Sequence, residues 1–249
     1  MYDALDKRWL KSTCAIALIA ANIVLHILCI FMRSEIHAIG VLDVNAVAYR
    51  GEYNRLITSM FLHADISHLF SNMVILMYIG GVVEMNIGHI RFVILYFISG
   101  IMGNILTVVY EISRYESWTS LGASGAVFGV MGAMLVLIIK AYRRYGISKN
   151  LTGRVVFMVA YSFFAGLTRG GVNNIAHFGG LATGIISGLI MTLHLKTLHL
   201  EALGYAHLTE KEKPPVTPEE DAFNDDNCKR EPLPDYPQHD YPPPRDDDK

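Results

Sequence analysis

Residues 174–188 read Asn-Ile-Ala-His-Phe-Gly-Gly-Leu-Ala-Thr-Gly-Ile-Ile-Ser-Gly, a stretch free of Asp, Glu, Lys and Arg in which Gly180, Gly184 and Gly188 recur at every fourth residue. At that interval the glycines share one side of a helix and leave a shallow groove along it. Residues 122–133, Gly-Ala-Ser-Gly-Ala-Val-Phe-Gly-Val-Met-Gly-Ala, carry a second ridge in Gly125 and Gly129. Paired ridges of small residues let helix backbones approach closely, which is how helices associate in a bilayer that offers no hydrophobic driving force between them.

The rest of the chain points the same way. Of its 249 residues 52% are hydrophobic and 18% charged, against about 45–50% and about 25% in soluble domains. Apolar stretches recur at 13–32, 69–85, 92–109, 123–139, 155–167 and 175–193. These are six predicted spans, judged against the roughly 20 residues a hydrocarbon core about 30 Å thick requires. The fifth, between Arg154 and Arg169, rises only about 21 Å at ~1.5 Å per residue. Either its arginines snorkel or the bilayer is thinned beside it.

All nine prolines fall between Pro214 and Pro244, and all 21 glycines at or before Gly204. From Glu210 onward there are 13 acidic and 6 basic residues, leaving 10 acidic and 15 basic upstream. The formal charge of −2 is therefore a body of +5 and a tail of −7. Residues 1–12 are expected to be a cytoplasmic leading segment, 13–195 the membrane domain, and 196–249 a largely disordered, acidic, Pro-rich tail unable to bury enough apolar surface to order itself. Lys7, Arg8 and Lys11 precede the first span, and Lys140, Arg143, Arg144, Lys149 and Arg154 join the fourth to the fifth. They outnumber Arg33, Arg50, Arg55, Arg114 and Arg169 on the other side, which predicts both termini in the cytoplasm and the spans in an inner or plasma membrane. The first stretch is long and lacks a small-residue cleavage pattern before Arg33, so it reads as a span and not as a signal peptide. Cys14, Cys29 and Cys228 suggest no disulfide framework.

With that topology the second, fourth and sixth spans all begin on the outer side, bringing His68, Asn72, Ser124, Asn174 and His177 to similar depth. Polar groups inside spans are costly and are candidate sites for that reason. His68 and Asn72, four apart, share a helix face. A serine hydroxyl becomes a nucleophile when a base takes its proton, and neutral imidazole is the usual base, so Ser124 and His177 form a candidate pair. His68 and Asn72 supply donors for the oxyanion of acyl attack. No carboxylate stands ready to orient His177. Against this, Ser124 also reads as a small packing residue and His177 as a structural donor. His63 and His68 as metal ligands lack the HExxH form and a third partner. The run around Ser124 is not the soluble-hydrolase GxSxG, because Ala126 stands where its second glycine belongs. Glu84 reads as a structural acceptor. A transporter is disfavoured by the lack of an internal repeat. No cofactor, no metal and no nucleic-acid partner are expected.

In combination these residues resemble the rhomboid intramembrane serine proteases over about residues 10–195. Gly122–Gly125, GASG, is similar to that family's nucleophile motif, and Ala176-His177 followed by Gly180 and Gly184 to its AHxxGxxxG motif. His68 and Asn72 match its HxxxN element. The resemblance implies an all-α, six-transmembrane-helix rhomboid-like bundle and a serine endopeptidase with Ser124 as nucleophile and His177 as base. It further implies His68, Asn72 and the Ser124 N–H around the oxyanion, and Phe128 packed against the imidazole. His63 and Asn174 fall at recurrent family positions. The 51–64 segment is similar to an EYWR-type element, with Arg55 retained and Asn54 where tryptophan is common. The implied partners are a transmembrane protein substrate, entering beside the fifth span, and the lipid bilayer. The alternative is a catalytically silent relative that binds transmembrane helices; such relatives typically lack the serine or the histidine, and both stand here.

Overall fold

The structure is a computed structural model that describes residues 12–146, 149–168 and 171–193, with Leu195, residues 197–199 and Leu203. Residues 1–11 of the leading segment 1–12, and all of the 196–249 tail but residues 197–199 and Leu203, lie outside the described residues, and the tail's expected disorder with them. Six helices make the body: α1 Thr13–Phe31, α2 Ile66–Ile87, α3 His89–Ser113, α4 Ser124–Tyr145, α5 Lys149–Thr168 and α6 Asn174–Thr192. All but α5 are long and apolar enough to cross a membrane, while the apolar part of α5 is Gly153–Phe164. The result is an all-α membrane bundle. Among the described residues the sole strand pairing is antiparallel, Leu42–Asp43 with Thr119–Ser120.

Helix α4 is the centre of the bundle: 78% of its apolar window is buried, against 22% for α1, whose Val24, Ile27, Ile30 and Phe31 face outward. The glycine ridges set this arrangement. A Cβ on Gly180 would land on the Gly125 carbonyl, one on Gly184 on the Gly129 carbonyl, and one on Gly132 would stand 2.6 Å from the Leu181 carbonyl. Helix α3 closes the third side, where a Cβ on Gly103 would stand 2.6 Å from the Ala176 carbonyl. The three backbones touch directly, so helix separation is fixed by atoms that cannot rotate away.

Helix α2 starts at Asp65, whose carboxylate accepts the His68 N–H at 2.8 Å, and α6 starts at Asn173, which accepts the Ala176 N–H at 2.9 Å. Both are ordinary N-caps. Within α2, Leu76–Gly80 forms one π-helical turn between Asn72 and Glu84. At the far end of α2 the Glu84 carboxylate accepts the N–H groups of Cys14 and Ala15 at 2.9 and 2.8 Å, capping α1. Packing continues past residue 195: Leu198 and Leu203 are buried in the core, and the His199 N–H donates to Asn86 Oδ1 at 2.9 Å.

The connection from α1 to α2 is clamped by Arg55, which is 6% exposed. Its guanidinium donates to the Val41 and Ala38 carbonyls at 2.9 Å each and to Glu52 at 2.6 Å. Hydrogen bonds from Arg50 and then Arg55 hold the Glu52 carboxyl below its usual range. Because its folded pKa is depressed, the contribution of Glu52 is complete above its unfolded pKa of about 4.3 and fades as pH falls through the folded value. Arg55→Ala is expected to cost about 1–3 kcal/mol, since the two carbonyls lose their donor. Thermal unfolding in detergent checks both points: the Arg55→Ala melting temperature falls, and Glu52→Gln flattens the acid limb of the stability profile.

Candidate active site

Ser124 is the first residue of α4 and is half-buried. Two residues earlier Gly122 adopts φ +130°, a conformation that side-chain-bearing residues avoid. A Cβ there would stand 2.6 Å from His68 Cε1, 2.8 Å from His68 Nε2 and 3.7 Å from Ser124 Oγ. Gly122 thus lies between the His68 ring and the Ser124 hydroxyl, and only glycine keeps that gap open. Its own N–H is engaged by the Ser59 carbonyl at 2.9 Å, which anchors the turn. The first turn of α4 closes with the Val127 N–H on the Ala123 carbonyl at 2.9 Å, and no side chain caps the helix. The N–H groups of Ser124, Gly125 and Ala126 therefore precede that closure and put the positive end of the helix dipole at the serine.

His177, 6% exposed, stacks on Phe128 with ring centroids 4.2 Å apart and planes 13° from parallel. Phe128 follows Ser124 by four residues and shares its face of α4. The stack therefore holds the imidazole against the side of α4 that carries the serine. Phe163 of α5 meets Phe128 edge-on at 4.9 Å and His177 at 6.1 Å, fixing the ring from a second direction. His177 Nδ1 has no hydrogen-bond partner among the described residues. Among the described residues aromatic contact, and not a carboxylate, holds this histidine.

His68 and Asn72 lie one turn apart on α2, and Asn72, 5% exposed, keeps its Nδ2 without a partner among the described residues. His63, 1% exposed, stands between His68 and His26 of α1, with ring centroids at 5.2 and 6.3 Å. Asn174 is placed differently from the others. Its Oδ1 abuts Gly166 of α5, and the polar hub at the start of α6 is its neighbour Asn173, whose Nδ2 donates to Thr107 and Ser120 hydroxyls at 3.0 Å each. His26, Phe163 and Asn173 were not singled out by sequence. For His26 the signal was present, an ionisable residue inside a span. For Asn173 it was an asparagine three residues before Ala176 at a helix start. For Phe163 there was none.

Together these side chains gather a hydroxyl, an imidazole and several donors at the N-terminal ends of α2, α4 and α6. The family model described as the Rhomboid domain matches residues 50–194, which contain every residue of this constellation except His26. RHOMBOID-like protein 1 of Arabidopsis thaliana is 34% identical over 154 residues, 62% of this chain and 38% of that protein. RHOMBOID-like protein 6, mitochondrial, of the same plant is 37% identical over 160 residues, 64% of this chain and 50% of that protein. Rhomboid protease GluP of Bacillus subtilis (strain 168) is 30% identical over 149 residues, 60% of this chain and 28% of that protein. The chain spans half or less of the length of each of these relatives. Matched over more than half of its own length by the domain that the glycine-locked helices and the site residues compose, the chain belongs to the rhomboid family of multi-pass membrane proteins.

Proposed function

We propose that the chain is an intramembrane serine endopeptidase that cleaves transmembrane or membrane-anchored proteins near the outer face, with Ser124 as nucleophile and His177 as general base. The observation that carries this reading is the stack of His177 on Phe128, one helical turn from Ser124. Neutral His177 takes the Ser124 proton as Oγ attacks the scissile carbonyl carbon. The oxyanion that forms meets the Ser124 N–H, the His68 ring and the Asn72 amide. The imidazolium then protonates the departing amine, and the acyl group stays on Ser124. In the second half His177 removes a proton from water, hydroxide attacks the ester, and Ser124 leaves with the proton from His177. The membrane domain of this reading is 13–195, with both termini on the cytoplasmic side of the cell membrane, as the basic residues around Lys7 and Lys140 favour.

Cleavage of a membrane-anchored reporter by wild type and Ser124→Ala tests the reading. The substitution is expected to lower turnover by on the order of 10⁶-fold with the melting temperature nearly unchanged. Cleavage at the wild-type rate would overturn it and favour a helix-binding role.

A further inference from the structure

At the other end of α2, sixteen residues and about 24 Å of helical rise from His68, three side chains converge that the proposed chemistry does not use. Cys14 Sγ, the Glu84 carboxylate and the His89 imidazole have ligand atoms all within 4.8 Å of one another. They come from three elements: the first turn of α1, the end of α2 and the first residue of α3. Gly88, at φ +88°, turns the chain between the last two.

Capping of α1 accounts for the carboxylate of Glu84, which is 1% exposed and held by two backbone donors. The cap also draws in the half-buried Cys14, whose N–H is one of those donors, but it does not account for the exposed His89 imidazole, whose Nδ1 stands 2.5 Å from Glu84 Oε1. A carboxylate fixed in this way is an oriented ligand, and its oxygens retain lone pairs for a further partner. We propose that Cys14, Glu84 and His89 form a binding site for a zinc-class divalent cation, with water as the fourth ligand.

The donor set decides the class of ion. Thiolate, imidazole and carboxylate together suit Zn²⁺, whereas Mg²⁺ and Ca²⁺ take oxygen donors. On binding, the Cys14 thiol releases its proton to solvent and coordinates as thiolate. The contact at 2.5 Å is too close to admit an ion between ring and carboxylate. The His89 ring, more than half exposed, opens outward to make room. Occupancy ties the start of α1 to the α2–α3 turn and stabilises the fold by linkage.

The test uses the full-length protein in detergent, with Co²⁺ as the spectroscopic probe and Zn²⁺ as competitor. Wild type is expected to give a thiolate-to-cobalt charge-transfer band that Zn²⁺ removes. The band is lost in Cys14→Ser and kept in Cys228→Ser, and His89→Ala, which removes a direct ligand, weakens binding of both ions by at least the ~10–100-fold that loss of a mere outer-shell partner costs. Zn²⁺ is also expected to slow maleimide modification of Cys14, read from its own peptide. A wild type without the band, or a band that survives Cys14→Ser, overturns the site, as does Zn²⁺ binding of full strength in His89→Ala. No readout here depends on proteolysis, so the result stands apart from that of the Ser124 experiment.

Discussion

Replacing His177 by alanine is expected to lower cleavage by on the order of 10⁶-fold, as large an effect as loss of the serine itself. In a nucleophile–base pair each member is inert without the other, so the Ser124→Ala/His177→Ala double variant should be no slower than either single one. Phe128→Leu separates placement from chemistry. The imidazole remains, but the surface it stacks on at 4.2 Å is gone, and a shift of about 1 Å in a reacting group costs on the order of 10²-fold. Single-turnover kinetics with a membrane-anchored reporter reads all four variants against wild type. A Phe128→Leu enzyme at the wild-type rate would show that the stack does not orient the base.

The second large effect falls on the fold. In Gly180→Val the new side chain meets the Gly125 carbonyl, a backbone atom locked in the first turns of α4. Neither helix can yield without parting the Gly184–Gly129 contact one turn further on. The expected loss is at least about 3 kcal/mol, the upper end for overpacking. Gly153 of α5 has nothing within 4 Å of a built Cβ and is exposed, so Gly153→Val should stay within about 0.5 kcal/mol. Thermal unfolding of the two variants in one detergent makes the comparison, and equal stability would contradict the interlocked ridges.

These ridges were also the most legible part of the chain, because a four-residue spacing encodes a helix face without reference to anything distant. The grouping of His68, Ser124 and His177 followed from parity of the spans. Helix starts were less legible: α2 begins at Ile66 and not Leu69, since Asp65 caps it and hydropathy does not register caps. Asn173 was passed over because α6 starts at Asn174, and a cap one residue before a helix is a matter of register that hydropathy does not carry. His26 reaches His63 only through the packing of α1 on the loop before α2, and Phe163 reaches His177 only through the packing of α5 beside α4 and α6. Such approaches depend on tertiary placement that no local pattern carries. The same holds for Cys14 and Glu84, 70 residues apart in sequence. Packing beyond 195 was hidden for a different reason. Leu198 and Leu203 lie in a segment whose apolar content is too sparse to read as a span, although the composition break near 205 marks where the body gives way.

The central claim is that Ser124 is a nucleophile activated by His177, and labelling with a serine-directed fluorophosphonate addresses it most directly. In detergent-solubilised wild type the adduct is expected on the peptide that carries Ser124, located by mass spectrometry. It should be absent in Ser124→Ala and in His177→Ala. A wild-type protein that stays unlabelled beside an active control, an adduct on another serine, or undiminished labelling in His177→Ala would contradict the dyad.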